Sequence, residues 1–317
     1  MNKIYSLANK LINAQINGKV ISSSECNFLK SINEAYNLQD ISEKLLKMER
    51  IGWKIGATSL KAQQYLNTKE PVTAPMFKNY CYQSLSTITI FTNQNTSVEC
   101  EFGFKFKKHL PPQIKKYELN EIISAIDCLI PVIEIIGSRF EGGFENLGPI
   151  KLIADMVVHV GLIKGTEINK WQHINLAKQN VELYKNGSKI IAGYGSDVLG
   201  SPLNVLEWTI NHLSRRGKHI NAGDIISTGT CTGITSIFPG DKIVANFIGL
   251  DTIKSKIPLF ILLRGHYWSE QEWAKKTIHT GIKSKAVLFF RNRISEKCFD
   301  GATAIFPICR YLQDVVK

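Results

Sequence analysis

Glu99 and Glu101 lie two apart in Val98-Glu99-Cys100-Glu101-Phe102-Gly103-Phe104, and Glu134 lies in Ile130-Pro131-Val132-Ile133-Glu134-Ile135-Ile136. On a strand, residues two apart share a face. Glu99, Glu101 and Gly103 then point one way, and Val98, Cys100, Phe102 and Phe104 the other. Adjacent carboxylates repel unless a positive charge sits between them. A hard divalent cation does this, and Gly103 leaves room beside it. For that strand alone, a solvated glutamate face is the plainer account. Glu134 weighs against it, because its same-face neighbours are Val132 and Ile136. An ionised carboxylate among aliphatic side chains is costly unless it is paired or ligates a metal. Arg139 is the candidate partner if Glu134 is instead half of a buried ion pair. Three carboxylates without His or Cys at ligand spacing predict Mg²⁺ or Mn²⁺ rather than zinc.

The elements that must position these groups show in the patterning. Ile4, Leu7, Leu11 and Ile12 fall at helical spacing, and Phe28, Leu29, Ile32 and Tyr36 form a second such run. Asp40 with Glu43 three residues later predicts a capping box opening a helix over 41–48. From Gly52 the texture changes to short alternating runs, predicting strands near 53–58, 86–91, 98–106 and 129–136. Asn186-Gly187 between alternating residues 181–191 predicts a hairpin. Ser201 as N-cap, Pro202 at the first helical position and Gly217 past the end bracket a helix with Leu203, Leu206, Ile210 and Leu213 as its buried stripe. Strands are expected again near 224–227 and 242–247, with Pro239-Gly240-Asp241 turning between them. The outline is α+β: N-terminal helices packed on a mixed β body with an inserted helix. Three segments follow: 1–51 helical, 52–258 the catalytic body, and 259–317 an extension of no assigned role. Within that extension a helix is expected from Ser269, a strand over 286–290 and a short helix over 311–316.

With 317 residues, 44% hydrophobic and 21% charged, the chain can bury a real core and does not have a disordered composition. Its longest apolar stretch, around residues 258–263, is far too short to span a bilayer, and the N-terminus has no apolar leader pattern. Seven scattered cysteines without a Cys-x-x-Cys pair suit a reducing compartment, and a cytoplasmic home is expected. The net charge of +12 is spread through a Lys-rich chain without a basic run interleaved with aromatics, so neither a nucleic-acid partner nor a membrane is expected.

Several segments, in order, resemble the fumarylacetoacetate hydrolase superfamily in its 2-keto-4-pentenoate hydratase and 2-oxo acid decarboxylase branch. Gly52-Trp53-Lys54-Ile55-Gly56-Ala57-Thr58-Ser59 is similar to the family's G-[WYR]-K-[IVM]-G-x-T-S block. Val98-Glu99-Cys100-Glu101 is similar to V-E-x-E, and Glu134-Ile135-Ile136-Gly137-Ser138-Arg139 to E-I-x-x-S-R. Ile153-Ala154-Asp155, Leu199-Gly200-Ser201-Pro202, Ala222-Gly223-Asp224 with Ser227-Thr228-Gly229-Thr230, and Pro239-Gly240-Asp241 match further family segments. The chain departs from the hydratase pattern at Gly137, where Asp is usual, and at Met156, where Asn is usual. Thr228-Gly229-Thr230-Cys231-Thr232 stands in place of S-G-A-L-T, closer to the hydrolase-like and decarboxylase-like members.

The resemblance implies a β-roll core, a Mg²⁺ or Mn²⁺ held by Glu99, Glu101 and Glu134, and a homo-oligomer acting on a small 2-oxo acid or enol. It implies a carbon–oxygen lyase adding water to a 2-hydroxypenta-2,4-dienoate, with the cation stabilising the enolate, as in aromatic compound catabolism. Lys54, on the polar face of its strand, would move the proton or bind the substrate carboxylate. Thr230 would bind substrate or serve only as a turn residue. Arg139 would bind substrate or pair with Glu134 or Asp155. Asp155 would act behind the site or cap a helix. Decarboxylation of an oxalocrotonate- or oxaloacetate-type acid on the same metal site is the alternative, and hydrolysis ranks last. A third possibility is an inactive member whose basic extension, with ten Lys or Arg against five Asp or Glu, binds an anionic partner.

Overall fold

The computed structural model describes residues 3–258. Helix α1 (Lys3–Asn17) buries Leu7, Ala8, Leu11 and Ala14 along one stripe. Helix α2 (Ile32–Leu46) opens on a capping box formed by Ser31 and Glu34. The expected box at Asp40 and Glu43 does not form, and the helix expected over 41–48 is the second half of α2. Asp40 lies inside α2, where its carboxylate pairs with Arg216 and Lys218, at 3.0 and 2.9 Å. The sequence continues through β1 (Arg50–Gly56), α3 (Leu60–Tyr65), β2 (Val72–Phe77), β3 (Cys81–Gln83) and β4 (Ser97–Phe106). After α4 (Leu119–Ala125) come β5 (Ile126–Ile136), α5 (Gly148–Ala154) and β6 (His159–Lys164). The hairpin of β7 (Asn180–Lys185) and β8 (Ser188–Tyr194) turns at Asn186 and Gly187, whose φ values of 55° and 86° suit a type I′ turn. Helix α6 (Pro202–Arg215), capped by Ser201, precedes β9 (Ile225–Thr230), β10 (Thr235–Ser236), β11 (Lys242–Phe247) and β12 (Asp251–Lys256).

The larger sheet runs β2-β1-β9-β4-β5-β6-β3, with β10 also paired to β4. It is mixed, because β1 pairs parallel with β9 and β3 with β6, while the other neighbours are antiparallel. A second sheet, β12-β11-β7-β8, is antiparallel throughout. The main core lies between Phe102, Phe104 and Ile133 of the large sheet, Val205, Leu206 and Ile210 of α6, and Leu183 and Phe247 of the second sheet. The observed architecture is the α+β arrangement expected, with helices before the sheets and α6 inserted between strands.

Two strand expectations need correction. Residues 86–91 form no strand. Ile88 and Ile90 are buried, but the backbone there makes only an isolated bridge from Thr87 to Lys256, so the alternation reflects packing without a ladder. Conversely, residues 72–77, where no strand is expected, form β2 with Pro75 inside it. The proline is tolerated because β2 ends the sheet. The expectations over 269–316 lie outside the described residues. Among the described residues, no helix is long and apolar enough to cross a membrane.

Candidate metal centre and active site

Strand pairing brings the three glutamates together. Glu99 of β4 stands directly across from Glu134 of β5, and Glu101 is opposite Val132. One carboxylate oxygen from each of Glu99, Glu101 and Glu134 lies within 4.8 Å of the other two, a group that could hold a metal ion. Glu101 and Glu134 are 0% exposed and Glu99 is 7% exposed, so this is not a wet glutamate face. Gly103 does not provide the room expected of it. A Cβ there would meet Ile130 O and Val132 Cγ1 at 3.1 Å, so aliphatic packing fills that side.

Each glutamate is held differently. Oε2 of Glu101 accepts from the Ser227 hydroxyl and, at 2.9 Å, from the Gly229 amide. Gly229 has φ 90°, and a Cβ there would sit 2.0 Å from Thr58 Oγ1, so only glycine lets this amide approach the carboxylate. Glu134 Oε1 meets His159 Nδ1 at 2.7 Å. Lys54 Nζ lies 3.1 Å from Glu134 Oε2, an ion-pair contact, and donates a 3.0 Å hydrogen bond to the Val157 carbonyl. Among the described residues, Oε1 of Glu101 is a buried acceptor without a hydrogen-bond donor, and Oε2 of Glu134 has only the ion-pair contact with Lys54.

Burial pushes Glu99 well above the ordinary carboxylate range, against the pull of Lys54 and with help from Glu101 and Glu134. Burial and Glu134 push Glu101 up to about 8. Glu134 is also raised, by burial. Burial opposes charge on Lys54, but the three carboxylates outweigh it and hold the ammonium above its ordinary range. Burial, Lys54 and Arg139 hold His159 well below its ordinary range, so its ring is neutral. Three carboxylates and one ammonium sum to two negative charges, which a divalent cation balances. The all-oxygen donor set and the donorless Oε1 of Glu101 fit a hard cation of that kind.

The remaining expected residues separate into two places. Lys54 is 2% exposed and belongs to the cluster. Thr230 pairs in register with Glu101, at the cluster's border, where its hydroxyl donates to Gly233 O at 3.0 Å. Arg139 does not pair with Glu134. Its Nε meets Asp155 Oδ1 at 2.5 Å, its Nη2 donates to Asp155 O, and its Nη1 donates to the carbonyls of Gly137 and His159. Asp155 also accepts from the Ser138 hydroxyl at 2.9 Å. Burial raises its carboxyl and Arg139 opposes that. Arg139 and Asp155 thus form a buried brace behind the cluster.

Sequence reasoning missed Ser227, Gly229, Val157 and His159 as neighbours of the carboxylates. Only the Gly229-Thr230 pair carried a hint. The turn delivering Val157 has no glycine, yet Met156, Val157 and Val158 have φ of 51°, 49° and 54°. Left-handed backbone costs about 1–2 kcal/mol per non-glycine residue, and most for β-branched ones.

No family model matches the chain. It is 27% identical over 253 residues to the 2-keto-4-pentenoate hydratase of Paraburkholderia xenovorans (strain LB400), covering 78% of this chain and 93% of that enzyme. Among solved structures, the 4-oxalocrotonate decarboxylase from Pseudomonas putida G7, complexed with magnesium and adipate, superposes with a TM-score of 0.74 at 26% identity. That match covers 80% of this chain and 97% of the decarboxylase. A protein of Yersinia pestis CO92 assigned to the fumarylacetoacetate hydrolase family shares the fold alone, with a TM-score of 0.51, 14% identity and 67% and 94% coverage. The curled mixed sheet is therefore that of the fumarylacetoacetate hydrolase fold. Within it, the chain is a homologue of the 2-keto-4-pentenoate hydratases and 4-oxalocrotonate decarboxylases.

Proposed function

We propose that the chain is a divalent-metal-dependent carbon–oxygen lyase that hydrates a 2-hydroxypenta-2,4-dienoate-like acid to a 4-hydroxy-2-oxo acid in aromatic compound catabolism. The observation that carries this is the buried set of Glu99, Glu101 and Glu134, with Lys54 Nζ held against it. Glu99, Glu101 and Glu134 would hold Mg²⁺ or Mn²⁺. When bound, the cation supplies electrophilic stabilisation of charge on the substrate's C2 oxygen.

The chain's own groups supply the rest. Lys54 stays protonated among the carboxylates, so Nζ has a proton to give to the terminal carbon of the dienol. Protonation there, with the C2 hydroxyl proton lost to solvent, leaves a 2-oxo-3-ene, and water then adds across C3=C4 with its hydroxyl at C4 and a proton at C3. Transfer leaves Lys54 neutral among the carboxylates, which favours its reprotonation. Thr230, half-buried opposite Glu101, is assigned to the substrate carboxylate. Arg139 and Asp155 are assigned to holding the strand ends that carry Glu134 and His159, in place of direct substrate binding. The enzyme is proposed to work as a cytoplasmic homo-oligomer.

A second reading, favoured by the likeness to 4-oxalocrotonate decarboxylase, has the same site remove CO₂ from a 2-oxo dicarboxylate. The test is turnover of 2-hydroxydienoates and 2-oxo dicarboxylates with Mg²⁺, Mn²⁺ or EDTA, beside Glu134→Gln. Metal-dependent turnover lost in the variant supports the site, and a water adduct or CO₂ identifies the reaction. Turnover that survives both EDTA and Glu134→Gln overturns it.

A further inference from the structure

The register between β5 and β6 slips by one residue at its end. Glu134 pairs with Leu162 and Ile135 with Gly161, but Ile136 pairs with His159, so Val160 is the extra residue. Side chains alternate, and Ile136 shares a face with Glu134. Regular pairing would have placed Val160 on that face. The bulge puts His159 there instead, while Val160 lines a cavity of about 60 Å³ with Ile135, on the other face. Bulges beside functional sites commonly re-aim one side chain in this way.

The chain around His159 is fixed from several directions. The left-handed residues Met156, Val157 and Val158 immediately precede it. The Gly137 amide donates to the Val158 carbonyl at 2.8 Å, and Arg139 Nη1 donates to the His159 carbonyl at 2.8 Å. The imidazole is 2% exposed, and its Nε2 has no partner among the described residues.

We infer that His159 is a positioning residue for Glu134: its Nδ1–H holds Oε1, so that Oε2 is left to face Lys54 and the cation. The inference rests on the three-glutamate metal site. A carboxylate with one oxygen fixed cannot rotate to take Lys54 with both oxygens, and so keeps Oε2 directed at the space that Lys54 shares with the other two glutamates. Partners of this kind behind a metal ligand typically change metal affinity by about 10–100-fold when removed. Because Nε2 bonds to nothing among the described residues, the effect belongs to Nδ1. Asparagine, which can place an N–H near the position of Nδ1, should therefore substitute for the ring.

The experiment compares Mn²⁺ binding by calorimetry in the wild type, His159→Leu and His159→Asn, with thermal melts and kcat and KM alongside. His159→Leu should bind Mn²⁺ about 10–100-fold more weakly, and His159→Asn within about threefold of wild type. Equal affinity in His159→Leu overturns the inference, as does an Asn variant that melts normally but binds as weakly as Leu. A measurement on the wild type needs no variant to fold. Nitrogen-15 shifts of His159 should show the neutral ring protonated on Nδ1, and a proton on Nε2 overturns the assignment. Wild type that binds no Mn²⁺ defeats the metal site itself, while the nitrogen shifts still decide the contact between His159 and Glu134.

Discussion

Mn²⁺ should bind the protein more tightly as pH rises from 6 to 8, because the cation must displace protons from the glutamates it binds. Glu101 is pushed up to about 8 by burial and Glu134, so at pH 6 only about one molecule in a hundred carries it ionised, against about half at pH 8. That group alone predicts an affinity about 50-fold higher at pH 8. Glu99, raised as well, can only steepen the dependence. The sign for stability follows from the same shift. A carboxyl whose folded value lies above its unfolded value contributes stability that is fully present below the unfolded value, near pH 4.5, and lost as pH rises through about 8. The metal-free protein should therefore melt lower at pH 8 than at pH 5, and Mn²⁺ should recover more at pH 8. Titration calorimetry at pH 7, in two buffers of different ionisation enthalpy, should count a release of close to one proton or more per ion. In Glu101→Gln the share of the pH dependence that Glu101 carries should vanish, leaving the shallower dependence set by Glu99. An affinity that is flat from pH 6 to 8, with no proton released, would refute both the buried electrostatics and the cluster's role in holding the ion.

Lys54→Met removes the ammonium that faces the three carboxylates, so the metal-free fold should weaken while Mn²⁺ binds more tightly, and turnover should fall by about 10²–10⁴-fold. Calorimetry beside steady-state kinetics checks this, and weaker Mn²⁺ binding would contradict competition between ammonium and cation. Arg139→Met leaves Asp155 buried without its charged partner and should cost about 3–5 kcal/mol in urea unfolding, whereas Arg139→Met with Asp155→Leu should regain part of it. Leu85 is 76% exposed at φ 74°, so Leu85→Gly relieves backbone strain while giving up little burial. It should raise the melting temperature by about 2–4 °C for each kcal/mol gained, with kcat unchanged.

What the sequence disclosed about this site was which residues share a face within one strand. The period of two paired Glu99 with Glu101, and the aliphatic run around Glu134 marked that carboxylate as needing a partner. The convergence itself depends on β4 lying against β5 with Glu99 opposite Glu134, a long-range register that neither segment contains. The same limit explains Arg139. A cation five residues after Glu134 looked like its natural partner, but the chain turns away after Ile136, and the guanidinium goes to Asp155. Helices were more legible because their signals are local: Ser201 and Pro202 open α6 as expected. The capping box was misplaced because Asp40-x-x-Glu43 satisfies the same pattern as Ser31-x-x-Glu34, and only the second has its N-cap in extended backbone.

His159 and Val157 show the kind of information that is missing altogether. In Met156-Val157-Val158-His159-Val160 three of the five residues are valine, whose local preference is for extended backbone. The fold instead forces the first three through left-handed backbone and inserts a bulge at Val160. A local preference overridden at this expense needs compensation from contacts elsewhere, and those contacts are visible in Gly137, Arg139 and Asp155. The brace, the strained turn and the bulge act on two atoms, the Val157 carbonyl at Lys54 and His159 Nδ1 at Glu134. The turn also seats Met156, Val157 and Val158 in a buried apolar cluster, but the strain lies next to the proposed proton donor and a proposed metal ligand. Arg139→Met should therefore loosen Mn²⁺ binding and slow turnover in whatever fraction stays folded, and a folded variant with both unchanged would separate the brace from the site.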